Sequence, residues 1–160
     1  MTTKKLKLDK IDHRILSDLQ DNGRMTNVEL AGNAGISAPP CLRRVRALEE
    51  GEIILGYHAV VNAPRLGYGL TVFASVALEN QSEQNLNKFI ELVNGWDNVR
   101  ECHIMTGEAD FLMKIIARDW DDYQNFLTNT LTAAPNVASV RSSLTVKTVK
   151  HTPGVPIDLD

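Results

Sequence analysis

Between Asn33 and Leu48 the chain carries three arginines, Arg43, Arg44 and Arg46, and no acidic residue, directly after Ser37-Ala38-Pro39-Pro40. Guanidinium groups at this density offer two kinds of chemistry, bidentate hydrogen bonds to base edges and neutralisation of phosphates. A helical frame puts Cys41, Val45 and Leu48 on a buried face with Leu42 at its edge. It turns Pro39, Arg43 and Arg46 to the opposite side and leaves Arg44 on the flank. Arg43 and Arg46 are thus candidate base or phosphate contacts and Arg44 a candidate phosphate contact. Ser37, Pro39 and Pro40 occupy the helix end that meets base edges when a helix enters a major groove about 12 Å wide. Three arginines also suffice merely to keep a helix soluble, and their charge alone does not separate the two roles.

A second group of reactive side chains lies in Met105-Thr106-Gly107-Glu108-Ala109-Asp110. Read by itself it is an ordinary hairpin connection, in which Gly107 supplies the turn and Asp110 caps it. The same segment offers a hydroxyl, carboxylates and backbone N–H and C=O groups not consumed by a ladder. A zwitterionic amino acid needs such a set.

Other chemistries lack their residues. There is no G-x-S-x-G, no Walker-type GK[ST] and no H-E-x-x-H. Cys102 and His103 are neighbours on a predicted strand and point to opposite faces, and His13, His58 and His151 have no carboxylate or thiol at ligand spacing. No catalytic residue, metal or cofactor is expected. Cys41 and Cys102 are too few for a disulfide scaffold and read as reduced core residues.

The elements that must hold these groups change character near Gly51–Tyr57. Before that point the apolar spacing is helical. Leu8, Ile11, Ile15, Leu16 and Leu19 form one stripe with Asp9 as N-cap, and Asp21-Asn22-Gly23 ends it. Thr26-Asn27-Val28-Glu29 spells a capping box for a short second helix, Gly35 a turn, and Ser37 a cap for a third helix with its prolines in the first turn. A glycine turn followed by a capped helix with arginines on one side makes groove docking the better use of those arginines. Lys4, Lys5, Lys7 and Lys10 add a basic arm.

After Tyr57 the period shortens: Ala59-Val60-Val61, then Leu70–Leu78 with Val72, Ala74 and Val76 on one face. Ser82 caps a helix carrying Leu86, Phe89, Ile90 and Val93. Strands follow near Val99–Met105 and Phe111–Ala117, then a helix from about Asp119 with Tyr123, Phe126, Leu127 and Leu131. A last strand runs from after Pro135-Asn136 to about Val149. The order β-α-β-β-α-β predicts a ferredoxin-like antiparallel sheet with both helices on one face. The fold class is α+β, divided as a helix-turn-helix unit over 1–52, a linker strand and connection over 53–68, the ferredoxin-like unit over 69–150 and a tail over 151–160.

Charge divides along the same line. Residues 1–62 carry nine Lys and Arg against eight Asp and Glu, and the remainder eight against twelve, within a total of −3. A locally basic face on an acidic chain still binds DNA, because counterion release depends on the contacting surface. Hydrophobic content of 43% is that of a folded domain. No apolar run reaches a membrane span and the lysine-rich start lacks a signal-peptide core, so a cytoplasmic location without membrane association is expected.

These residues together resemble the Lrp/AsnC, or feast/famine, family of transcription regulators. The likeness is carried by Leu8-Asp9 with Asp12 and Ile15-Leu16, by Leu19-Gln20 with Asn22-Gly23-Arg24, and by Asn27-Val28-Glu29-Leu30. It continues through Gly35-Ile36-Ser37, Pro40-Cys41-Leu42-Arg43-Arg44-Val45, Leu48-Glu49 and Gly56-Tyr57 to Glu101-Cys102-His103 and Thr106-Gly107-Glu108-Ala109-Asp110-Phe111. The resemblance implies a winged-type helix-turn-helix joined by a strand to a ferredoxin-like effector (RAM) domain. It also implies homodimers assembling to tetramers or octamers on a pseudo-palindromic double-stranded operator, and an amino-acid effector bound between subunits. Met105, Thr106, Gly107, Glu108 and Asp110 become the candidate effector site, with Asp110 either accepting from the ammonium or fixing the loop. Ser142 of a neighbouring subunit is a further candidate. Two departures stand out. Relatives commonly carry a hydroxyl residue where this chain has Pro39. They also carry a glycine where it has Glu52, so either Gly51 ends the third helix early in the left-handed conformation, or Glu52 adopts that conformation at a cost of about 1 kcal/mol. An architectural DNA-compacting protein is the competing function, and an enzyme or ligand-binding module whose N-terminal unit only mediates protein contacts is a third.

Overall fold

The computed structural model describes residues 7–159, which form two compact units: the chain up to Val60 together with Lys150 onward, and Val61–Val149. Lys4 and Lys5 of the basic arm lie outside the described residues, while Lys7 and Lys10 are exposed.

The first unit is built from α1 (Lys10–Asp21), α2 (Asn27–Asn33) and α3 (Ala38–Glu50). Asp9 and Thr26 close capping boxes with Asp12 and Glu29, so each helix starts where its side chains satisfy the first free amides. Ile15, Leu30, Ala31, Cys41, Val45 and Leu48 make the core, each large side chain contributing roughly 1.5–3 kcal/mol by leaving water. Two acids are buried with them, each with partners: Asp18 accepts from Arg14 Nε at 3.1 Å and from Asn33 Nδ2 at 2.9 Å, tying α1 to α2.

Of the two ways α3 was expected to end, the structure takes the second. Gly51 has φ −83° and Glu52 has φ 55°. The Ile53 N–H donates to Leu48 O at 2.9 Å and the Glu52 N–H to Glu49 O at 3.0 Å, the paired bonds of a Schellman ending with a glutamate in the place glycine normally fills. Beyond it, Tyr57 donates its hydroxyl to Glu49 Oε1 at 2.9 Å, and burial with that bond pushes the phenol up to about 12.

The second unit contains β1 (Leu70–Leu78), α4 (Glu83–Asn94), β2 (Val99–Ile104), β3 (Phe111–Ala117), α5 (Trp120–Phe126) and β4 (Val137–Leu144), with α5 continued by a π-helical turn over Leu127–Leu131. The sheet order is β2-β3-β1-β4, antiparallel throughout, as the βαββαβ pattern predicts. Val72, Ala74, Val76 and Leu78 of β1 and Phe111, Met113, Ile115 and Ala117 of β3 bury one face under Phe89, Val93, Tyr123, Phe126 and Leu131. The opposite face shows Phe73, which is 40% exposed, with Leu112 and Ile116 half-buried.

Three local expectations need correction. Ala59-Val60-Val61 joins no ladder, since a short apolar run makes a strand only where a partner edge exists. The last strand ends at Leu144 rather than Val149, because β1 begins at Leu70 and Thr145 makes the final bond, to Thr71 O at 2.9 Å. Cys41 is buried, but Cys102 is exposed. It lies opposite Met113, facing the helix side of the sheet, on edge strand β2, where every residue after Val99 is exposed.

Candidate functional site

The N-terminus of α3 has an unusual start. Ser37 sits at the N-cap with extended backbone, yet its hydroxyl makes no capping bond. A cap accepts from the second or third amide of the helix. Those positions are Pro39 and Pro40, which have no N–H. The expectation that Ser37 caps α3 therefore fails for a reason written in the next residues. The prolines fix the entry of the helix while leaving the exposed Ser37 hydroxyl uncommitted, beside exposed Pro39 and half-buried Pro40.

Arg43 and Arg46 are exposed on the face opposite Cys41, Val45 and Leu48, and neither forms an ion pair among the described residues. Arg44 does. Its Nη1 lies 2.8 Å from Asp12 Oδ1 and 2.9 Å from Asp9 Oδ2, and about a third of its side chain stays exposed. The hydrogen bond that Arg44 donates to Asp12 and, against the opposing effect of burial, its bond to Asp9 raise the guanidinium pKa. The Asp9 carboxyl is lowered first by the Asp12 amide and then, against the opposing effect of burial, by Arg44. From the flank where the helical wheel places it, Arg44 thus joins α3 to the capped start of α1. Asp9 was legible as a cap, and Asp12 proves to be its capping-box partner. Their second role, absorbing the flank arginine, was not legible.

The hairpin loop is exposed at Met105, Thr106, Gly107 and Glu108, with Gly107 at φ 122°, a conformation glycine alone adopts freely. Asp110 is half-buried and takes the loop-fixing role. Its Oδ2 accepts from the Leu78 N–H at 2.7 Å, its own N–H donates to Val76 O at 2.9 Å, and its carbonyl accepts from Met105 N at 2.8 Å. The loop is thereby bolted to the end of β1. Glu108 faces solvent, with Arg141 Nη1 3.7 Å away, so Arg141 joins this neighbourhood although sequence reading passed over it. Ser142 stands apart. Its strand is separated from the hairpin by β1, and its hydroxyl lies 2.5 Å from that of buried Tyr123. Two clefts in this unit, of about 490 Å³ around Arg100, Arg118 and Asp122 and about 420 Å³ between α4 and Pro135-Asn136, do not include the hairpin.

Among the described residues no group of three or more His, Cys, Asp or Glu is placed to hold a metal, and no helix is long and apolar enough to cross a membrane.

Two family models match the chain: a winged helix-turn-helix DNA-binding domain over residues 8–54, and the Lrp/AsnC ligand-binding domain over 71–155. A Leucine-responsive regulatory protein of Rhizobium meliloti is 50% identical over 146 residues, covering 91% of this chain and 94% of that protein. The Bkd operon transcriptional regulator of Pseudomonas aeruginosa is 44% identical over 142 residues, with 89% and 93% covered. Among solved structures, a transcriptional regulator of Neisseria meningitidis in complex with L-Met superposes with a TM-score of 0.90 at 35% identity, covering 94% of this chain and 97% of that one.

Proposed function

Since the chain belongs to the Lrp/AsnC family and is a transcription regulator with a helix-turn-helix and an amino-acid-binding domain, we propose that Ser37, Arg43 and Arg46 of α3 are its DNA contacts and that an aliphatic amino acid is its effector. The observation that carries the first part is the division of labour on α3. Arg44 is consumed by Asp9 and Asp12, whereas Arg43, Arg46 and the Ser37 hydroxyl are exposed and uncommitted. Arg43 and Arg46 read base edges or phosphates. Ser37 donates to a phosphate, and Pro39 and Pro40 shape the helix end that enters the groove.

The effector loop is Met105–Asp110. Thr106 and the backbone around Gly107 hold the charged ends of the amino acid, and Asp110 keeps the loop in place from below. Relatives named leucine-responsive, and a structural neighbour holding L-Met, support an apolar side chain on the ligand. A site so exposed in one chain is closed by a second, and the half-apolar sheet face with Phe73, Leu112 and Ile116 supports a homodimer, the unit of further assembly. The dimer meets a pseudo-palindrome with half-sites about one helical turn apart. Burial of the ligand between subunits lets it favour one assembly over another.

The test is operator binding with competitor genomic DNA. Arg43→Ala and Arg46→Ala each weaken specific binding by about 1–3 kcal/mol, the worth of one base-edge hydrogen-bond pair, with thermal stability unchanged. Ser37→Ala weakens all sequences alike without altering the salt slope. Operator affinity unaffected in both arginine variants refutes the assignment. For the effector, calorimetry with leucine, methionine and the other amino acids should find an aliphatic ligand whose binding is abolished in Thr106→Val. Binding of none overturns the effector reading.

A further inference from the structure

Residues 150–159 follow the strand that ends the effector fold, yet by their contacts they belong with the helix-turn-helix unit. They contain no helix or strand, but they are held at defined atoms on α1. Gln20 spends both ends of its side-chain amide on one residue: Oε1 accepts from the Val155 N–H at 2.7 Å and Nε2 donates to Val155 O at 2.9 Å. This copies the pair of bonds by which a neighbouring antiparallel strand holds one residue. Asn136 uses its amide in the same way on Asn80, at 3.1 and 2.8 Å, to close β4 onto the end of β1. Two turns before Gln20, on the same side of α1, His13 Nδ1 lies 2.9 Å from Asp158 O, a carbonyl that accepts only from a protonated Nδ1.

The sequence of the segment suits this grip. Val155 precedes Pro156 and is biased to the extended backbone that turns its N–H and C=O to one side. Gly154 has φ +80°, and a Cβ there would collide with Gln20 Oε1, so side chains are excluded both by backbone conformation and by space. Pro153 and Pro156 reduce the freedom the segment loses on docking, and Ile157 is half-buried among otherwise exposed neighbours.

We propose that the His13–Gln20 side of α1 is a docking site for the chain's own segment Pro153–Asp158, and that the docked segment is a latch connecting the effector fold to the DNA-binding unit a second time. The chain crosses between the units at Val60–Val61 and again at Val149–Lys150. With the tail free, the helix-turn-helix unit hangs on the first crossing alone. With the tail latched, it is also tied through α1 to the segment that leaves β4. A rearrangement of the effector fold then reaches the DNA-binding unit by two routes, and releasing the latch removes one.

The experiment uses the full-length protein. Amide exchange measured by NMR should show the Val155 N–H protected at least tenfold over the Leu159 N–H. That protection should vanish in Gly154→Val and in Gln20→Glu, where a carboxylate oxygen faces the Val155 carbonyl. Wild-type Val155 exchanging at the rate of an unstructured peptide, or protection that survives Gly154→Val, overturns the latch. In a Cys102→Ser background, the pair Gln20→Cys and Val155→Cys should form a disulfide that leaves the chain a monomer on a denaturing gel. A covalent dimer, or no disulfide, overturns assignment of the site to the chain's own segment. The coupling role rests on the effector function proposed above. Truncation after Lys150 should leave operator affinity without effector within threefold of wild type and reduce the effector-induced change in affinity at least threefold, and an unchanged effector response overturns that role. A wild-type protein with no effector response counts instead against the functional reading, and leaves the exchange and cross-linking results to decide the latch.

Discussion

Replacing Arg44 by alanine separates a structural arginine from a DNA-contacting one. The Nη1 atom holds Asp12 at 2.8 Å and Asp9 at 2.9 Å, and the Asp12 side chain is only 10% exposed. Asp12 accepts otherwise from the Asp9 N–H at 3.0 Å. Truncation thus strips a nearly buried carboxylate of its cation while it remains desolvated. Hydrogen bonds to charged groups are worth about 1.5–3 kcal/mol, and removing one partner of a fully buried pair costs about 3–5. The exposure of Asp9 and of part of Arg44 places this site near the lower figure, about 2 kcal/mol. In a unit of this size that lowers the melting midpoint by roughly 10 °C. Calorimetry of the full chain reads the shift, and a double-mutant cycle with Asp12→Ala should return a coupling above about 1 kcal/mol. The salt dependence of operator binding supplies the other half of the test. Removing one phosphate interaction reduces the slope of log K against log salt by about 0.9, so Arg44→Ala should leave the slope unchanged at a temperature where the variant is folded. A slope reduced by that amount with the melting midpoint unmoved refutes the reasoning and returns Arg44 to the DNA.

Glu52→Gly should stabilise the helix-turn-helix unit by about 0.5–1 kcal/mol, since the left-handed backbone costs a side chain about 1–2 and glycine returns part of that in chain entropy. A urea midpoint that fails to rise contradicts the strain at φ 55°. The Asp9 carboxyl is held below 3.8 by the Asp12 amide first and by Arg44 after it, and Glu29 below 4.5 by the Thr26 amide and hydroxyl. Groups lowered in the folded state contribute stability above their unfolded pKa and lose it as pH falls through the folded value. The unit should therefore hold its melting midpoint down to the ordinary carboxylate range and lose it below, with a shallower acid decline in Asp9→Asn and Glu29→Gln. Ser142→Ala should cost the effector fold about 1–2 kcal/mol, because the buried Tyr123 hydroxyl loses its partner. An unfolding curve like that of wild type would show that water replaces it.

Elements and topology were readable because they follow from patterns that neighbours in sequence impose. Thr26 and Glu29 close a box three residues wide, the alternation of Val72, Ala74 and Val76 assigns a face, and Phe89 and Val93 lie one turn apart. Patterns of this kind do not say whether an edge has a partner. Ala59-Val60-Val61 and the stretch beyond Leu144 are apolar enough for strands and form none among the described residues, and Cys102 is apolar enough for a core but lies on the exposed stretch of edge strand β2. The α3 ending was narrowed to two possibilities by a glycine one place early. Only the backbone dihedrals separated them.

The site residues were harder for a different reason, which is competition for hydrogen-bond partners. Sequence type says what a polar group is able to bond. What it does bond depends on which other groups have already been satisfied. Ser37 is a capping residue by type, but the two amides it needs were removed by Pro39 and Pro40, so its hydroxyl is released outward. Arg44 is as cationic as Arg43 and Arg46, but Asp9 and Asp12 lie within its reach from α1 and hold it back. Asp110 could serve a ligand by its chemistry, but the Leu78 amide at the end of β1 claims its Oδ2 first. In each case the deciding partner is a specific residue that substitution can remove. Asp9→Ala combined with Asp12→Ala frees Arg44 on the flank of an otherwise intact α3, where its charge adds to those of Arg43 and Arg46. That variant should bind DNA of any sequence more tightly at low salt, with a steeper salt slope than wild type and a lower melting point. A salt slope equal to that of wild type would mean that Arg44, even when freed, does not reach a phosphate.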